Sequence, residues 1–238
     1  MKRAAALGVI ALLLGGCDAA WLGNGDRVET ARKFPPADRP VAPTVSTKWS
    51  TEEARDRVRE AEQVMDAAAV EPGMTVADIG AGDGYYTVRL AQRVGLRGRV
   101  LAQDIQPKVI ERLADRVARE RLDNVSLKLG AVDDPRLPAN SFDRVFLVHM
   151  YHEIGEPYAF LWRLYPALRA GGEVIVVDSN RPTANHGIPL RLLVCEFETV
   201  GYKLVAFSEK KDVGAYFARF TRARPRPEPE AMRACKED

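Results

Sequence analysis

The sequence is poor in metal-binding side chains and lacks an excess of charge of one sign. Its 238 residues include only three cysteines and three histidines, and no Cys/His spacing resembles a zinc site, so we expect no bound metal. The 35 Lys and Arg residues nearly balance the 33 Asp and Glu residues, giving a formal net charge of +2. Because nucleic-acid binding generally needs a basic surface, we expect no nucleic-acid partner.

Long hydrophobic runs are also missing. The apolar run at residues 4–16 is too short to span a bilayer as a helix, which takes about 20 residues. With 46% hydrophobic residues, 29% charged residues, 18 glycines and 15 prolines, the chain is neither collagen-like nor low in complexity. These values predict one globular domain with a real core and appendages.

The first residues have the pattern of a bacterial export signal. The positively charged residues 1–3 precede the apolar run, which ends in LGGC at residues 14–17. This end resembles the lipobox of bacterial lipoproteins, which implies that Cys17 is lipidated and becomes the N-terminus once the signal peptide at residues 1–16 is removed. Asp18 resembles the residue that keeps many lipoproteins in the inner membrane, which implies a lipid anchor on its periplasmic face. The alternative is a cytosolic protein with an apolar extension and a buried Cys17.

The rest of the chain divides into three parts by composition. Residues 17–48 are polar, contain prolines and have no sustained period, which predicts a flexible, lipid-anchored linker. Residues 49–222 carry the periodic pattern of a folded domain, and residues 223–238 are rich in Arg, Pro and Glu, which is typical of a disordered tail. Cys195 lies in an apolar run and Cys235 lies in this tail, so we predict no structural disulfide.

Strand and helix patterns alternate through the domain. A capping box at Ser50 and Glu53 predicts the start of the first helix. Short apolar runs separated by helical patterns predict strands at residues 75–79, 99–102, 125–129, 144–150 and 173–177. The glycine pair at residues 171–172 is predicted to end the helix before the fifth strand. Runs at residues 202–207 and 215–221 are spaced like an antiparallel pair. This alternation predicts a parallel sheet covered on both faces, with ligands at the carboxyl ends of the strands.

A glycine-rich loop follows the first predicted strand. Residues 78–84 read DIGAGDG and lead into a helix, so backbone N–H groups face a ligand without side chains in the way. This predicts an anionic or nucleotide-like ligand. The dinucleotide pattern G-x-G-x-x-G fails, because the position that needs its third glycine is Tyr85.

The loop resembles the first motif of class I S-adenosylmethionine-dependent methyltransferases, in which an acidic residue precedes G-x-G-x-G. Further landmarks of that family follow in the same order: Asp104 at the end of the second strand, GAVDDPRLP at residues 130–138, NSFD at 140–143 and AGGE at 170–173. The resemblance implies an α/β fold with a Rossmann-like, seven-stranded, mostly parallel sheet, helices on both faces and a C-terminal antiparallel hairpin.

The resemblance also implies S-adenosylmethionine as the cofactor and a set of cofactor-binding residues. These are Asp78, Gly80, Ala81, Gly82, Gly84, Asp104, Ile105, Asp133 and His149. Asp104 is expected to accept both ribose hydroxyls, because a carboxylate has two oxygens that can each accept an O–H. Asp133 is expected to accept from the adenine amino group, with Asp134 as the alternative. Each residue also has a plain structural interpretation: the glycines form a tight turn, and the aspartates cap helices.

Candidates for acceptor chemistry lie after the fourth strand, in the run VHMYHEI at residues 148–154. His152, His149 and Tyr151 are the candidate catalytic residues, and His152 is favoured as a base because imidazole titrates near neutrality. Both histidines have a structural alternative as buried, hydrogen-bonded side chains. Asp178 and His186 are expected near the acceptor pocket.

Together these patterns predict a lipid-anchored methyltransferase that uses S-adenosylmethionine and acts on a small-molecule acceptor. The alternative is a non-catalytic lipoprotein that binds a nucleoside-like ligand in the same fold. A nicotinamide oxidoreductase is disfavoured by Tyr85. The predicted location conflicts with the cytosolic origin of the methyl donor.

Overall fold

A computed structural model describes residues 27–44 and 51–237 of the chain. The predicted signal peptide at residues 1–16, the candidate lipidation site Cys17 and Asp18 lie outside the described residues. Among the described residues, no helix has the length and apolar character needed to cross a bilayer.

Strands and helices alternate along the folded part of the chain. In chain order they are α1 (Glu52–Arg57), α2 (Glu60–Ala67), β1 (Thr75–Ile79), α3 (Tyr85–Val94), β2 (Arg99–Asp104), α4 (Pro107–Arg119), β3 (Val125–Leu129), β4 (Phe142–Val148), α5 (Pro157–Leu164), β5 (Leu168–Asp178), α6 (Leu190–Val200), β6 (Tyr202–Lys210) and β7 (Ala215–Arg222). Short 3-10 turns join several of these elements.

The strands form one seven-stranded sheet in the order β3-β2-β1-β4-β5-β7-β6. Strands β1 to β5 pair in parallel, whereas β7 pairs antiparallel with both β5 and β6. The predicted Rossmann-like sheet with a C-terminal antiparallel hairpin is confirmed. The strand order reverses between β1 and β4, so a crevice opens at the carboxyl ends of these two strands.

Alternate residues of the central strands face opposite layers of helices. Val145 and Leu147 of β4 pack with α5 and α6, whereas Phe146 between them packs with α2 and α3. Because both faces are buried, the strands are apolar at successive positions rather than alternating. Each such side chain contributes about 1.5–3 kcal/mol by leaving water, which fixes the strand ends that carry the site.

Two helix boundaries differ from their predictions. Thr51 caps α1, with its hydroxyl oxygen accepting from the Ala54 N–H at 3.2 Å, while Ser50 lies outside the described residues. The first helical segment then breaks at Arg59, whose φ of 52° is left-handed. The glycine pair at residues 171–172 does not end a helix: α5 ends at Leu164, and the glycines lie within β5.

The prediction of a flexible linker is wrong for residues 27–44, which pack on the domain. Arg39 forms an ion pair with Glu196 of α6 at 2.8 Å, and neither side chain is exposed to solvent. Arg27 pairs with Glu156 at 2.5 Å. Buried charges are tolerated only when paired, so these contacts hold the segment in one place. The segment shows no helical or strand periodicity because its side chains pair with residues of the domain and not with one another.

The predictions of a disordered tail and of no disulfide are also wrong within residues 223–237. Cys235 forms a disulfide with Cys195 of α6, with a Cα–Cα distance of 6.1 Å. The Arg226 guanidinium lies 3.6 Å from the ring centre of Trp162, and Lys236 forms a bridge with Asp38. A disulfide, a cation–π contact and backbone pairing hold the tail on the domain. The tail therefore needs no apolar face, and its sequence can be polar.

Candidate active site

A large cavity opens at the carboxyl ends of the parallel strands. Its volume is about 1430 Å³, and the loop after β1, the end of β2 and the residues after β4 form its inner wall. Residues 36–41 of the N-terminal segment also line the cavity. The cavity therefore lies where the sheet topology predicts a ligand site.

Five residues of the glycine loop line the cavity: Ile79, Gly80, Ala81, Gly82 and Asp83. Gly80 has a φ of +67°, and a Cβ there would lie 3.0 Å from Cγ of Met150, so the close approach of the two segments requires glycine. Gly84 is different. It does not line the cavity, and a Cβ there would lie 2.5 Å from Cδ1 of Leu113 on α4. Gly84 therefore permits helix packing behind the loop rather than ligand contact.

Asp104 ends β2 and lines the cavity, although only 7% of its surface is exposed. Oδ2 accepts from the Gly82 N–H at 3.2 Å, and Oδ1 accepts from the Gln106 N–H at 3.0 Å. A carboxylate oxygen has about two acceptor sites, so each oxygen keeps one for a ligand hydroxyl. This arrangement fits the two ribose hydroxyls of S-adenosylmethionine. Ile105 follows at the cavity wall.

Gln103 is a cavity residue that the sequence reasoning missed. Its Oε1 accepts from the Gly80 N–H at 3.4 Å, while its buried Nε2 has no hydrogen-bond partner within the described part of the chain. A buried amide donor without a partner costs about 1–3 kcal/mol, so this group fits a site that a polar ligand completes. In the sequence, only the position of Gln103 next to Asp104 indicates that it lies at the cavity.

Asp78 lies behind the glycine loop and does not line the cavity. Its Oδ2 accepts from the Thr87 hydroxyl at 2.6 Å, which ties the end of β1 to the first turn of α3. Burial raises the pKa of Asp78 to about 6, and the nearby Asp104 acts in the same direction. Asp78 therefore positions the loop from behind rather than touching a ligand.

The structure does not place Asp133 in the cavity. Its carboxylate pairs with Arg163 at 2.5 Å and accepts from the Thr30 hydroxyl at 2.6 Å. Its neighbours Ala131 and Val132 line the cavity in its place. The expectation that Asp133 contacts adenine is wrong in this arrangement, because the N-terminal segment and α5 already occupy the carboxylate.

His149 lines the cavity directly after β4. Its φ is +55°, a left-handed conformation, and its Nε2 lies 3.2 Å from Oε1 of Glu60 on α2. Burial of Glu60 opposes its ionisation, but hydrogen bonds from His149 and Arg55 outweigh that effect and lower the pKa of the carboxyl to about 2. His149 is therefore held at the wall by a carboxylate.

Tyr151 and His152 do not line the cavity, against the expectation that they are catalytic. Tyr151 is fully buried and donates to Oε2 of Glu196 at 2.7 Å, and burial raises the pKa of its hydroxyl well above the ordinary value. His152 is buried with Nδ1 2.9 Å from both carboxylate oxygens of Asp178. The 3-10 turn after β4 directs both side chains into the core, while the next residue, Glu153, lines the cavity.

His186 lies beside this pair although it is distant in sequence. Its ring is perpendicular to that of His152, with 5.6 Å between the ring centres. His152, Glu153 and His186 each offer one potential metal-ligand atom, and these atoms lie within 4.8 Å of one another. No local spacing in the sequence indicates this cluster, because the loop after β5 brings His186 back to the turn after β4.

Comparisons with known proteins agree with this geometry. Residues 76–172 match the family described as a methyltransferase domain. Over 129 residues the chain is 31% identical to the ubiquinone/menaquinone biosynthesis C-methyltransferase of Stenotrophomonas maltophilia, covering 52% of this chain and 49% of that protein. Over 111 residues it is 32% identical to the arsenite methyltransferase of Halobacterium salinarum, covering 47% of this chain and 28% of that protein. The chain thus spans half or less of the length of these two relatives.

The fold is similar to that of an S-adenosylmethionine-dependent methyltransferase from Aquifex aeolicus. The TM-score is 0.65 at 23% identity, covering 70% of this chain and 92% of that chain. Together the findings show a methyltransferase-like domain match over residues 76–172 and a methyltransferase-like fold. The family match stops within β5, so the loop with His186, the N-terminal segment and the tail lie outside it.

Proposed function

We propose that this chain is an S-adenosylmethionine-dependent methyltransferase that acts on a small-molecule acceptor and is anchored to a membrane through Cys17. The observation that carries the activity is the pairing of Asp104 with the glycine loop at one wall of the cavity. The backbone N–H of Gly82 and the free acceptor sites of Asp104 lie side by side there. This pairing suits a ligand with a ribose and a charged end.

The size and lining of the cavity support a small, partly apolar acceptor. Its volume of about 1430 Å³ exceeds the roughly 300–1000 Å³ of most single-ligand pockets, so a cofactor leaves room for a second molecule. Four exposed apolar side chains lie along it: Val28, Val41, Ile105 and Val132. Two relatives are named for arsenite methylation and for ubiquinone/menaquinone biosynthesis, which agrees with a small acceptor.

The chemistry required of the protein is mainly alignment. S-adenosylmethionine supplies a methyl group that its sulfonium already activates. The chain would hold the donor at Asp104 and the glycine loop, and residues 36–41, which line the same cavity, would limit access of water. Holding two reactants aligned lowers a barrier by several kcal/mol. With His152 and Tyr151 buried in the core, the next residue, Glu153, is an acidic residue that lines the cavity.

The disulfide supports a location outside the cytosol. Disulfides persist in oxidising compartments such as the bacterial periplasm and are rare in the cytosol. The Cys195–Cys235 bond therefore agrees with the export signal and with a lipid anchor on the periplasmic face of the inner membrane. In that location the methyl donor must be supplied from the cytosol.

Calorimetric titration of the purified chain tests the activity and its alternatives. We expect S-adenosylmethionine and S-adenosylhomocysteine to bind with one site per chain and NAD not to bind. Incubation with methyl-labelled donor and a panel of small thiols, quinols and arsenite then separates a methyltransferase from a non-catalytic binding protein. Binding of NAD in preference to both sulfur nucleosides would refute the proposal.

Mass spectrometry of the chain from its native host tests the location. We expect a mature N-terminus at an acylated Cys17, and Cys17→Ser should abolish this lipid processing and release the chain from the membrane fraction. An unmodified Met1 on the wild-type chain would overturn the proposed anchor.

A further inference from the structure

The cluster of His152, Glu153 and His186 brings together three metal-binding side chains beside the cavity. Their potential ligand atoms lie within 4.8 Å of one another. These residues come from two separate segments, the 3-10 turn after β4 and the loop after β5. The chain has only three histidines, and two of them meet here.

Asp178 orients one of the two imidazoles. Its carboxylate oxygens lie 2.9 Å from Nδ1 of His152, and Asp178 is itself held by the Ser179 N–H at 2.8 Å. A carboxylate on Nδ1 fixes the tautomer and leaves Nε2 as the ring nitrogen available to a metal ion. This carboxylate–histidine pairing is the usual outer support of a metal-binding histidine.

The backbone around His186 is also fixed. His186 adopts a left-handed conformation with φ of 56°, and its carbonyl oxygen accepts from Nε and Nη2 of Arg181 at 3.1 and 2.9 Å. Thr183, one turn earlier, is held by Glu237 of the tail, with its N–H 2.8 Å from Oε1. A left-handed residue other than glycine persists only where its surroundings determine it, and such positions cluster at functional sites.

We propose that His152, Glu153 and His186 form a binding site for one divalent transition-metal ion, with Zn²⁺ as the best match. Two imidazoles and one carboxylate are a ligand set of zinc sites that keep a fourth position open. Ligands about 2.1 Å from a tetrahedral ion lie roughly 3.4 Å apart, so binding would need only small movements of side chains whose potential ligand atoms lie within 4.8 Å of one another.

The open position would face the cavity. Glu153 lines the cavity, as do Pro182 and Ala184 of the loop that carries His186. This consequence rests on the proposed methyltransferase function: an ion there would hold an oxygen, nitrogen or sulfur atom of the acceptor and favour its deprotonated form. The ion would thereby promote the deprotonation that His152, buried away from the cavity wall, does not catalyse as a base.

Zinc titration of the full-length chain tests the site. All variants carry Cys17→Ser and no polyhistidine tag, so that neither a free thiol nor the tag competes for metal, and the disulfide is kept oxidised. Calorimetry after chelator treatment should give one Zn²⁺ per chain, and Co²⁺ should give the visible bands of a tetrahedral site. His186→Ala and Glu153→Gln, at the partly exposed positions, should each weaken Zn²⁺ binding by at least about tenfold, and Asp178→Asn by about 10–100-fold.

His149→Ala is the matched control, because it removes the one histidine outside the cluster and should leave Zn²⁺ affinity within about twofold. Unfolding midpoints of every variant identify loss of fold. No stoichiometric Zn²⁺ binding, or binding that His186→Ala and Glu153→Gln leave unchanged in folded protein, overturns the site. Titration of the same samples with S-adenosylhomocysteine separates the two proposals. Nucleoside binding without Zn²⁺ binding refutes the metal site alone, and Zn²⁺ binding without nucleoside binding refutes the methyltransferase function alone.

Discussion

Replacement of Asp104 by alanine tests the geometry of the cofactor site most directly. The carboxylate accepts from the N–H groups of Gly82 and Gln106 and keeps one acceptor site per oxygen for the ribose. Asp104→Ala removes all of these acceptors at once. Hydrogen bonds to a charged group contribute about 1.5–3 kcal/mol, so S-adenosylhomocysteine should bind about tenfold to about 150-fold more weakly.

The same substitution should also lower the stability of the ligand-free protein. Two partly buried N–H groups lose their acceptor, which costs about 1–3 kcal/mol of unfolding free energy and leaves the fold intact. Calorimetry gives the affinity, and urea unfolding without ligand gives the stability. Asp115→Ala is the matched control, because it removes an exposed carboxylate from the neighbouring helix α4. A folded Asp104→Ala chain whose affinity stays within twofold of wild type would refute this account of the site.

Three further substitutions probe the loop and the tail. Gly84→Ala should cost about 1–3 kcal/mol in urea unfolding, because the new Cβ combines a φ of +90° with a 2.5 Å approach to Leu113. The raised pKa of Asp78, about 6, means that the folded chain retains a proton that the unfolded chain releases above about pH 4. Stability should therefore fall as pH rises from about 4 to 6, and Asp78→Asn should remove this fall and gain about 2–3 kcal/mol at pH 7. Cys235→Ser should cost about 2–4 kcal/mol, because it opens a disulfide between residues separated by 40 positions.

Each of these has a control within the chain. Gly73→Ala shares the φ of +90° but meets nothing within 4 Å, so its difference from Gly84→Ala measures the contact with α4. Cys195→Ser and the reduced wild-type chain should match Cys235→Ser, and unchanged stability on reduction would contradict the predicted contribution. If the unfolding free energies of the wild type and of Asp78→Asn changed equally between pH 4 and 6, the role of Asp78 would be contradicted.

The sequence predicts the central sheet because its pattern is local. Apolar runs at β1 and β4 are buried on both faces, and the glycine loop between β1 and α3 identifies the ligand edge. The position of Asp104 follows from the same logic, since the end of β2 borders that edge. These features depend on residues close together in the chain, so one sequence is enough to find them.

The rest depends on contacts between distant residues. Arg39 is ordered by Glu196, and Cys235 by Cys195, so neither terminal segment shows a pattern of its own. The assignment of His152 failed for a similar reason. A turn of three residues decides whether a side chain faces the core or the cavity, and the sequence around it has no period that fixes this rotation.

The bridge between Asp38 and Lys236 joins the two ends of the described chain beside the cavity. Both segments contribute to the wall, so the wall cannot close until the chain has left the ribosome as far as Glu237. Contacts between residues so far apart form late, because closing so long a loop is entropically costly until the intervening structure has formed. A chain exported in an unfolded state would cross the membrane without an assembled cavity and could carry no nucleoside with it. Such a chain would have to find its methyl donor at its destination.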